Sequence, residues 1–488
     1  MKILFISIAI FSTLAFFDEH DARNNHFNKS KKPNIIIVLA DQWRAQATGY
    51  NNDPNLVGKT PNLDALANTG VNFRNAISVT PVCTPYRAAL MTGKYPTTTG
   101  MIFNDIQLPE SEVTMAEHFK ASGYKTGYIG KWHLDGMGRF NFTPPNRRQG
   151  FEYWKALECS HDYNNLVYYE GSNKEKKYWQ GYAPQAETKD AISYIQNNAI
   201  DKNPFLLVLA WGAPHFPHAT APLEYQNQFP IENIILRGNV PESMKNAAKK
   251  ESVGYYAHIL ALDQCIGELR KAIQEAGISD NTILVFTSDH GEMMGSHGVS
   301  PRLKQVPWAE SVKVPFLLSY PARFGNKKME VDAPINVTDV LPTLMSLAGL
   351  PVPRGIDGEN MAHVMANPKL KKDKAALVMN VSPFIGNVSE YRGIYTRQHA
   401  FVKTIDGPWF LFDHSTDPLQ MNNLVNKPGY QKLQMEMEKV LRKELQKAND
   451  DFMPRQYYID KWGYKLKQGA IDYSENAEAQ GPDINKKK

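Results

Sequence analysis

Cysteine is scarce in this chain: only Cys83, Cys159 and Cys265 occur in 488 residues. So few thiols exclude a disulfide-built scaffold, and an odd count leaves at least one of them unpaired. Long apolar runs are equally rare. Beyond the extreme N-terminus no stretch approaches the roughly 18 to 20 apolar residues that span a bilayer, which excludes a stable membrane span in the mature chain. A one-sided charge pattern is missing too. The formal net charge is +5, which mildly favours a polyanionic partner, but the basic residues are scattered rather than striped and no nucleic-acid module is present, so no nucleic acid is expected as a partner. No internal repeat stands out, which removes solenoids and propellers. With 42% hydrophobic and 22% charged residues, the chain is globular rather than disordered.

The N-terminus reads Met1, Lys2 and then "ILFISIAIFSTLAFF" before the charged "DEHDARNN". That run has the length of a signal-peptide core, and residues 1–22 are read as a signal peptide, with Thr13-Leu14-Ala15 offering a small-residue cleavage site. A buried first helix or an uncleaved anchor is the alternative. No cysteine follows closely, so no lipoprotein anchor is expected. Export to the periplasm or the medium is the reading.

Further along, "NIIIVLA" (34–40) is a continuous, β-branched run of the kind that forms a buried parallel strand, and it ends in Asp41-Gln42. "TPNLDALANTG" follows as a helix closed by Gly70. The strand "KTGYIG" empties into Lys131 and His133, "FLLVLAW" into a Pro-rich loop with His215 and His218, and "NTILVFTS" into Asp289 and His290. A long helix is expected from about Tyr255 to Ala276. Helices alternating with buried strands predict an α/β fold: a large, mostly parallel sheet sandwiched by helices, with polar residues delivered repeatedly to one edge. After "NPKLKKDKAA" the texture changes to short alternating segments and a helix from about Tyr430 to Lys447, read as a smaller C-terminal α+β subdomain containing an antiparallel sheet. The expected boundaries are 33–370 for the catalytic domain, 371–465 for the C-terminal subdomain and 466–488 for a polar tail, unstructured in its final stretch.

Taken residue by residue, Asp41 with Gln42 and Asp289 with His290 offer oxygen and nitrogen ligands at two strand ends, and hard cations such as Ca²⁺ take carboxylate and amide oxygens. Either pair alone also reads as a cap or a strand-end hydrogen bond. Lys131, His133, His215 and Lys304 add cationic or titratable groups at further loop positions. Around a cation they would form a positive cavity suited to a tetrahedral oxyanion ester. Cys159 and Cys265 read most simply as small buried hydrophobes or as a disulfide pair.

Cys83 lies in "CTPYRAALMTGKYP", which resembles the C-x-P-x-R…TG-x-x-P signature of the type I sulfatases. "PNIIIVLADQWR", "TPNLDALANTGVNFRNA", "GYKTGYIGKWH", "APHFP", "TSDHGEMMGSHG", "KQVPWAESVKVPF" and "FDHSTDPLQMNNL" resemble that family's successive blocks in their usual order, over roughly residues 33–450. The resemblance implies that a maturation enzyme converts Cys83 during export to Cα-formylglycine (3-oxoalanine). The hydrated aldehyde attacks a sulfate ester with one hydroxyl, and the other then expels sulfate by elimination, so turnover is split into two easier steps. Carried over by position, it implies Ca²⁺ held by Asp41, Gln42, Asp289, His290 and the oxygen of modified Cys83. Arg87 would hold the modified side chain, while Lys131 and Lys304 would bind sulfate oxygens. His133 would take the proton that triggers elimination, and His215 would protonate the leaving alcohol. Gln42 and His290 stand where many members carry Asp and Asn; Trp308-Ala309-Glu310-Ser311 replaces the usual Tyr-Glu-Glu-Ser, and Ser296 a usual Asp.

The implied activity is sulfate-ester hydrolysis on carbohydrate, with an algal polymer such as ulvan favoured over an animal glycosaminoglycan. A formylglycine-dependent phosphonate monoester or phosphodiester hydrolase and an inactive sulfated-sugar-binding protein are the alternatives. His218, Arg302 and the aromatic segments "FEYW" and "YNNLVYYEG" are candidates to line the mouth of the site.

Overall fold

In the computed structural model, which describes residues 31–368, 370, 373–383, 388–474 and 477–484, the apolar run at 35–40 is buried on both sides. Ile35, Ile37 and Leu39 enter one core while Ile36, Val38 and Ala40 enter the other. A strand wet on one face would alternate with polar residues; this one is continuous because helices cover both faces. In chain order the main sheet contains β1 (Asn34–Asp41), β2 (Val71–Phe73), β3 (Lys125–Lys131), β4 (Tyr153–Leu157), β5 (Val167–Glu170), β6 (Lys177–Tyr178), β7 (Phe205–Pro214), β8 (Thr282–Ser288), β9 (Phe316–Ser319) and β10 (Met329–Val331). Across the sheet their order is β10-β2-β9-β8-β1-β7-β3-β4-β5-β6. The central run β8-β1-β7-β3-β4 is parallel throughout. β9 joins it antiparallel on one side, and β5 and β6 on the other.

Helices Cys83–Thr92, Met115–Ala121 and Val340–Leu347 contribute to the core on one face; Pro61–Thr69, Ala183–Ala199 and Lys245–Glu275 contribute to the core on the other. This is the sandwiched α/β sheet expected. Because the central strands run the same way, the ends of β1, β3, β7 and β8 open at one edge, where such sheets place their ligands. A second sheet follows in sequence: β11 (Ala376–Asn380), β12 (Tyr391–Tyr395), β13 (His399–Thr404) and β14 (Gly407–Asp413), an antiparallel meander with helix Gln431–Lys447 against it. Residues 33–488 form one compact unit.

Several local expectations change. The segment at Cys83, which no sequence signal places in a helix, is the first turn of helix Cys83–Thr92; Pro85 is tolerated because first-turn N–H groups have no partner within the helix. Helix Lys245–Glu275 begins well before Tyr255, since its polar "KNAAKKES" start lacks apolar periodicity yet consists of adequate helix formers. "FEYW" does not line a mouth: Phe151 and Trp154 are buried and pack with Tyr128 and Trp132. Tyr163, in the other aromatic segment, is also internal, its hydroxyl donating to the carbonyls of Gly212 and His215 at 2.6 and 3.0 Å. Cys159 and Cys265 are both buried free thiols, so of their two readings the small hydrophobe holds. The described part of the final stretch is structured: the Gln480 carbonyl accepts from the Gln107 N–H at 2.7 Å. Polarity misled here because this segment is fixed by backbone hydrogen bonds rather than by an apolar face. The expected signal peptide, residues 1–22, lies outside the described residues. Among those described, no helix is long and apolar enough to cross a membrane.

Candidate active and cation site

β1 ends at Asp41, and every nearby charge is organised around that carboxylate. It is fully buried, and its Oδ2 receives Lys131 Nζ at 2.7 Å and Arg87 NH2 at 3.2 Å. Arg87 NH2 also reaches Asp289 Oδ2 at 3.2 Å, while NH1 donates to the Lys131 carbonyl at 2.7 Å. Burial alone would raise the Asp41 pKa; Lys131 and the other cationic groups outweigh it and hold the carboxyl well below its ordinary range. Burial would likewise lower Lys131, but Asp41 keeps its ammonium raised and charged.

Cys83 starts its helix at the same edge, with Arg87 one turn further along, so the two side chains share a face. The thiol lies among cations: its Sγ is 3.6 Å from Lys131 Nζ and 3.8 Å from Lys304 Nζ. The helix start adds its own positive dipole end, so a nucleophile here and an anion beside it are both favoured.

Cys83 also belongs to a potential ligand set. One donor atom each from Asp41, Cys83, Asp289 and His290 lie within 4.8 Å of one another. Atoms so spaced can surround one ion at the 2.3–2.6 Å of calcium–oxygen bonds. The state of His290 suits this. Its Nδ1 lies 3.0 Å from the Gly291 carbonyl, which can only accept, so Nδ1 carries the hydrogen and Nε2 presents a lone pair. That Nε2 is 3.5 Å from Asp289 Oδ1 and 3.6 Å from Asp41 Oδ1. Burial pushes the imidazole pKa down to about 4, keeping it neutral. Gln42 borders the set. Its N–H donates to Asp289 Oδ1 at 3.0 Å and its Oε1 accepts from Lys304 Nζ at 3.0 Å, leaving that oxygen a second lone pair. Two carboxylates, an amide oxygen and a neutral imidazole fit a divalent cation.

Lys304 Nζ is also 2.9 Å from His215 Nε2. His215 Nδ1 lies 2.7 Å from the Phe216 carbonyl and so carries the hydrogen, which makes Nε2 the acceptor from Lys304. Burial, with Lys304 second, lowers the His215 pKa well below its ordinary value. His133 Nε2 is held by Asp105 Oδ1 at 2.6 Å. Burial raises the Asp105 pKa, but the hydrogen bond and charge of His133 bring it below normal. Gln42, Asp105, His133 and Gln305 all have positive φ, at 66°, 64°, 59° and 66°. Backbone strain thus collects in and beside this edge, as it does at functional sites.

All the positions expected from the sequence converge here: Asp41, Gln42, Cys83, Arg87, Lys131, His133, His215, Asp289, His290 and Lys304. Of the mouth candidates, His218 is buried against Glu251 at 2.7 Å and serves the frame. Arg302 stands exposed at the rim, 2.8 Å from Glu251 and over the Phe216 ring. One departure from the family pattern serves packing: Trp308 stacks on His297 with centroids 3.8 Å apart. Sequence reasoning missed Asp105, which braces His133, and His161, which stacks on His215 at 4.0 Å; both sit in loops without periodicity or motif.

Comparison with known proteins agrees with this geometry. Residues 33–350 match the model of the Sulfatase family, and residues 295–447 that of the N-sulphoglucosamine sulphohydrolase C-terminal family. The chain is 50% identical over 454 residues to the ulvan-active sulfatase of Formosa agariphila, covering 92% of this chain and 88% of that one. It is 29% identical over 485 residues to an endo-4-O-sulfatase of Bacteroides thetaiotaomicron, covering 85% and 92% of the two chains. A solved structure of yidJ from Bacteroides fragilis, assigned as a sulfatase, superimposes with a TM-score of 0.79 at 30% identity, over 88% of this chain and 98% of that one.

Proposed function

The chain belongs to the sulfatase family, and we propose that it is an exported enzyme that removes sulfate from oligosaccharides of ulvan-type algal polysaccharide, using Ca²⁺ and a formylglycine made from Cys83. The observation that carries this reading is the placement of Cys83: at a helix start, beside two lysine ammonium groups and within a cation-ready donor set. Half-identity to an ulvan-active sulfatase supports the choice of polymer.

When present, the aldehyde hydrate supplies the nucleophilic hydroxyl and the bound calcium supplies positive charge for the sulfate and that hydroxyl. The chain's own residues do the rest. Lys131 and Lys304 hold sulfate oxygens, and Asp41 keeps Lys131 charged for the task. Arg87 fixes the two carboxylates and the start of the helix. His133, braced through Nε2 by Asp105, accepts the proton that triggers sulfate elimination at Nδ1, which has no partner among the described residues. Lys304 and His215 form a proton-donating pair for the leaving oxygen. In this reading residues 33–370 carry the catalytic machinery, 371–465 the C-terminal subdomain and 466–488 the terminal segment.

Protein expressed in a host that matures formylglycine should release inorganic sulfate from ulvan oligosaccharides faster than from glycosaminoglycan fragments, and much faster than it cleaves phosphodiesters or phosphonate monoesters. A preference for the phosphorus esters would overturn the reading. Calcium should also appear in stability. A ligand at a hundredfold excess over its Kd adds about 2.7 kcal/mol, so exhaustive chelation should lower the melting temperature by several degrees and calcium should restore it; an unchanged temperature would argue against a calcium site.

A further inference from the structure

We propose that Glu292 is a positioning residue for the cation: it holds the Gln42 amide with the oxygen, and not the nitrogen, turned towards the ion. This rests on the calcium site of the reading above and gives a task to a buried acid which that reading leaves unused.

A carboxylate at position 42 would offer an ion oxygen from either end. A carboxamide has a wrong end, because its NH2 group repels a cation and a half-turn of the amide exchanges the two. The partners of Gln42 oppose that turn. Its Nε2 donates to Glu292 Oε2 at 2.5 Å and to the Arg302 carbonyl at 3.2 Å. Its Oε1 accepts from Lys304 Nζ at 3.0 Å, an ammonium itself 3.8 Å from Cys83 Sγ. Reversed, the NH2 would meet a group that can only donate, and the oxygen a carbonyl that can only accept. The backbone is held as well: the Gln42 N–H donates to Asp289 Oδ1 at 3.0 Å, and its carbonyl accepts from the Tyr255 hydroxyl at 3.3 Å.

Glu292 makes the shortest of these contacts, and it is fully buried. The chain delivers it by a close passage. Gly291 donates its N–H to the Ser311 carbonyl at 2.7 Å, and a Cβ on Gly291 would come within 1.9 Å of the Glu310 carbonyl oxygen, so only glycine fits there. Beside the carboxyl stands His218, its Nε2 3.7 Å from Glu292 Oε2 and its Nδ1 fixed by Glu251 at 2.7 Å. Burial raises the Glu292 pKa, yet a carboxyl keeps an acceptor oxygen in either protonation state, so the amide is held with or without the charge. Groups that orient a metal ligand from behind typically contribute about 10- to 100-fold in metal affinity.

The test is the calcium affinity of the mature enzyme, measured by calorimetry after chelation. Glu292→Asp keeps the charge but falls one methylene short of Gln42, whereas Glu292→Gln keeps the reach and loses the charge. Glu292→Asp should bind calcium about tenfold more weakly than wild type, and Glu292→Gln within about threefold of it. The opposite order would mean that only negative charge matters and overturns the assignment, as do equal affinities in all three proteins. In a Gln42→Asp background there is no amide to orient, so adding Glu292→Asp should change the affinity by less than about threefold; a full tenfold loss there would reduce Glu292 to general packing and also overturns the proposal. Melting curves in chelator show whether each variant folds. Should Glu292→Asp not fold, Glu292→Met, which removes the acceptor at similar volume, takes its place in both backgrounds. A wild type that takes up no calcium instead overturns the calcium site on which the proposal rests.

Discussion

Cys83→Ala protein should fold normally and turn over sulfate esters on the order of 10⁴-fold or more slowly than the mature enzyme. The two halves have separate causes. Activity goes because alanine cannot be oxidised to an aldehyde, and the helix start then carries no nucleophile beside the lysines and the donor set. Stability stays because no buried charge loses its partner: Lys131 keeps Asp41 at 2.7 Å, and Lys304 keeps Gln42 and His215 at 3.0 and 2.9 Å. The change in unfolding free energy should therefore stay within about 1 kcal/mol. Sulfate release measured beside circular dichroism and a melting curve checks both halves. Mass spectrometry of the wild-type peptide containing residue 83 completes the test. Retained turnover in the variant, or an unmodified thiol in fully active wild type, would remove the aldehyde from the mechanism.

Some of this site was legible in the sequence because of how its residues are delivered. Asp41 ends a continuous apolar run, and Lys131 and Asp289 end or follow strands of their own; a run buried on both faces has to be a central parallel strand. Strands that share a direction share an exit edge, so polar residues at their ends were bound to meet. Strand order and register were not legible, since they depend on pairing between segments far apart in the chain, as in β1 with β7 and β8. The loop contributions were invisible for another reason. Asp105 and His161 owe their roles to where backbone turns put them, and a lone Asp or His in a loop carries no periodic signal. The segment at Gln480 was hidden by its neighbours: a polar tail reads as solvated until a backbone hydrogen bond to another loop holds it down. "FEYW" erred the opposite way, its aromatics serving the core. Those errors share a cause, namely that side-chain polarity says little about a segment whose position is set by tertiary contacts.

Arg87→Met should be the most destabilising single change in the site, because it removes a guanidinium that bridges two buried carboxylates. Arg87, Asp41 and Asp289 are all fully buried, and the NH2 group lies 3.2 Å from an oxygen of each acid. Breaking a buried ion pair from one side typically costs about 3–5 kcal/mol, since the remaining charge can neither rehydrate nor find another partner. Lys131 still compensates Asp41, whereas Asp289 keeps no cationic side chain in contact among the described residues, only the neutral imidazole of His290. Arg87→Lys should recover part of the loss, as one ammonium cannot reproduce the planar fork that also donates to the Lys131 carbonyl. The same variants probe the cation. With less positive charge on their Oδ2 side, the two carboxylates should hold a dication more tightly, so the rise in melting temperature on adding calcium should be larger in Arg87→Met than in wild type. Melting curves in chelator and in calcium for both proteins give this difference directly. An equal or smaller rise would mean that Asp41 and Asp289 do not jointly face the ion, and the donor set assigned to it would have to be redrawn.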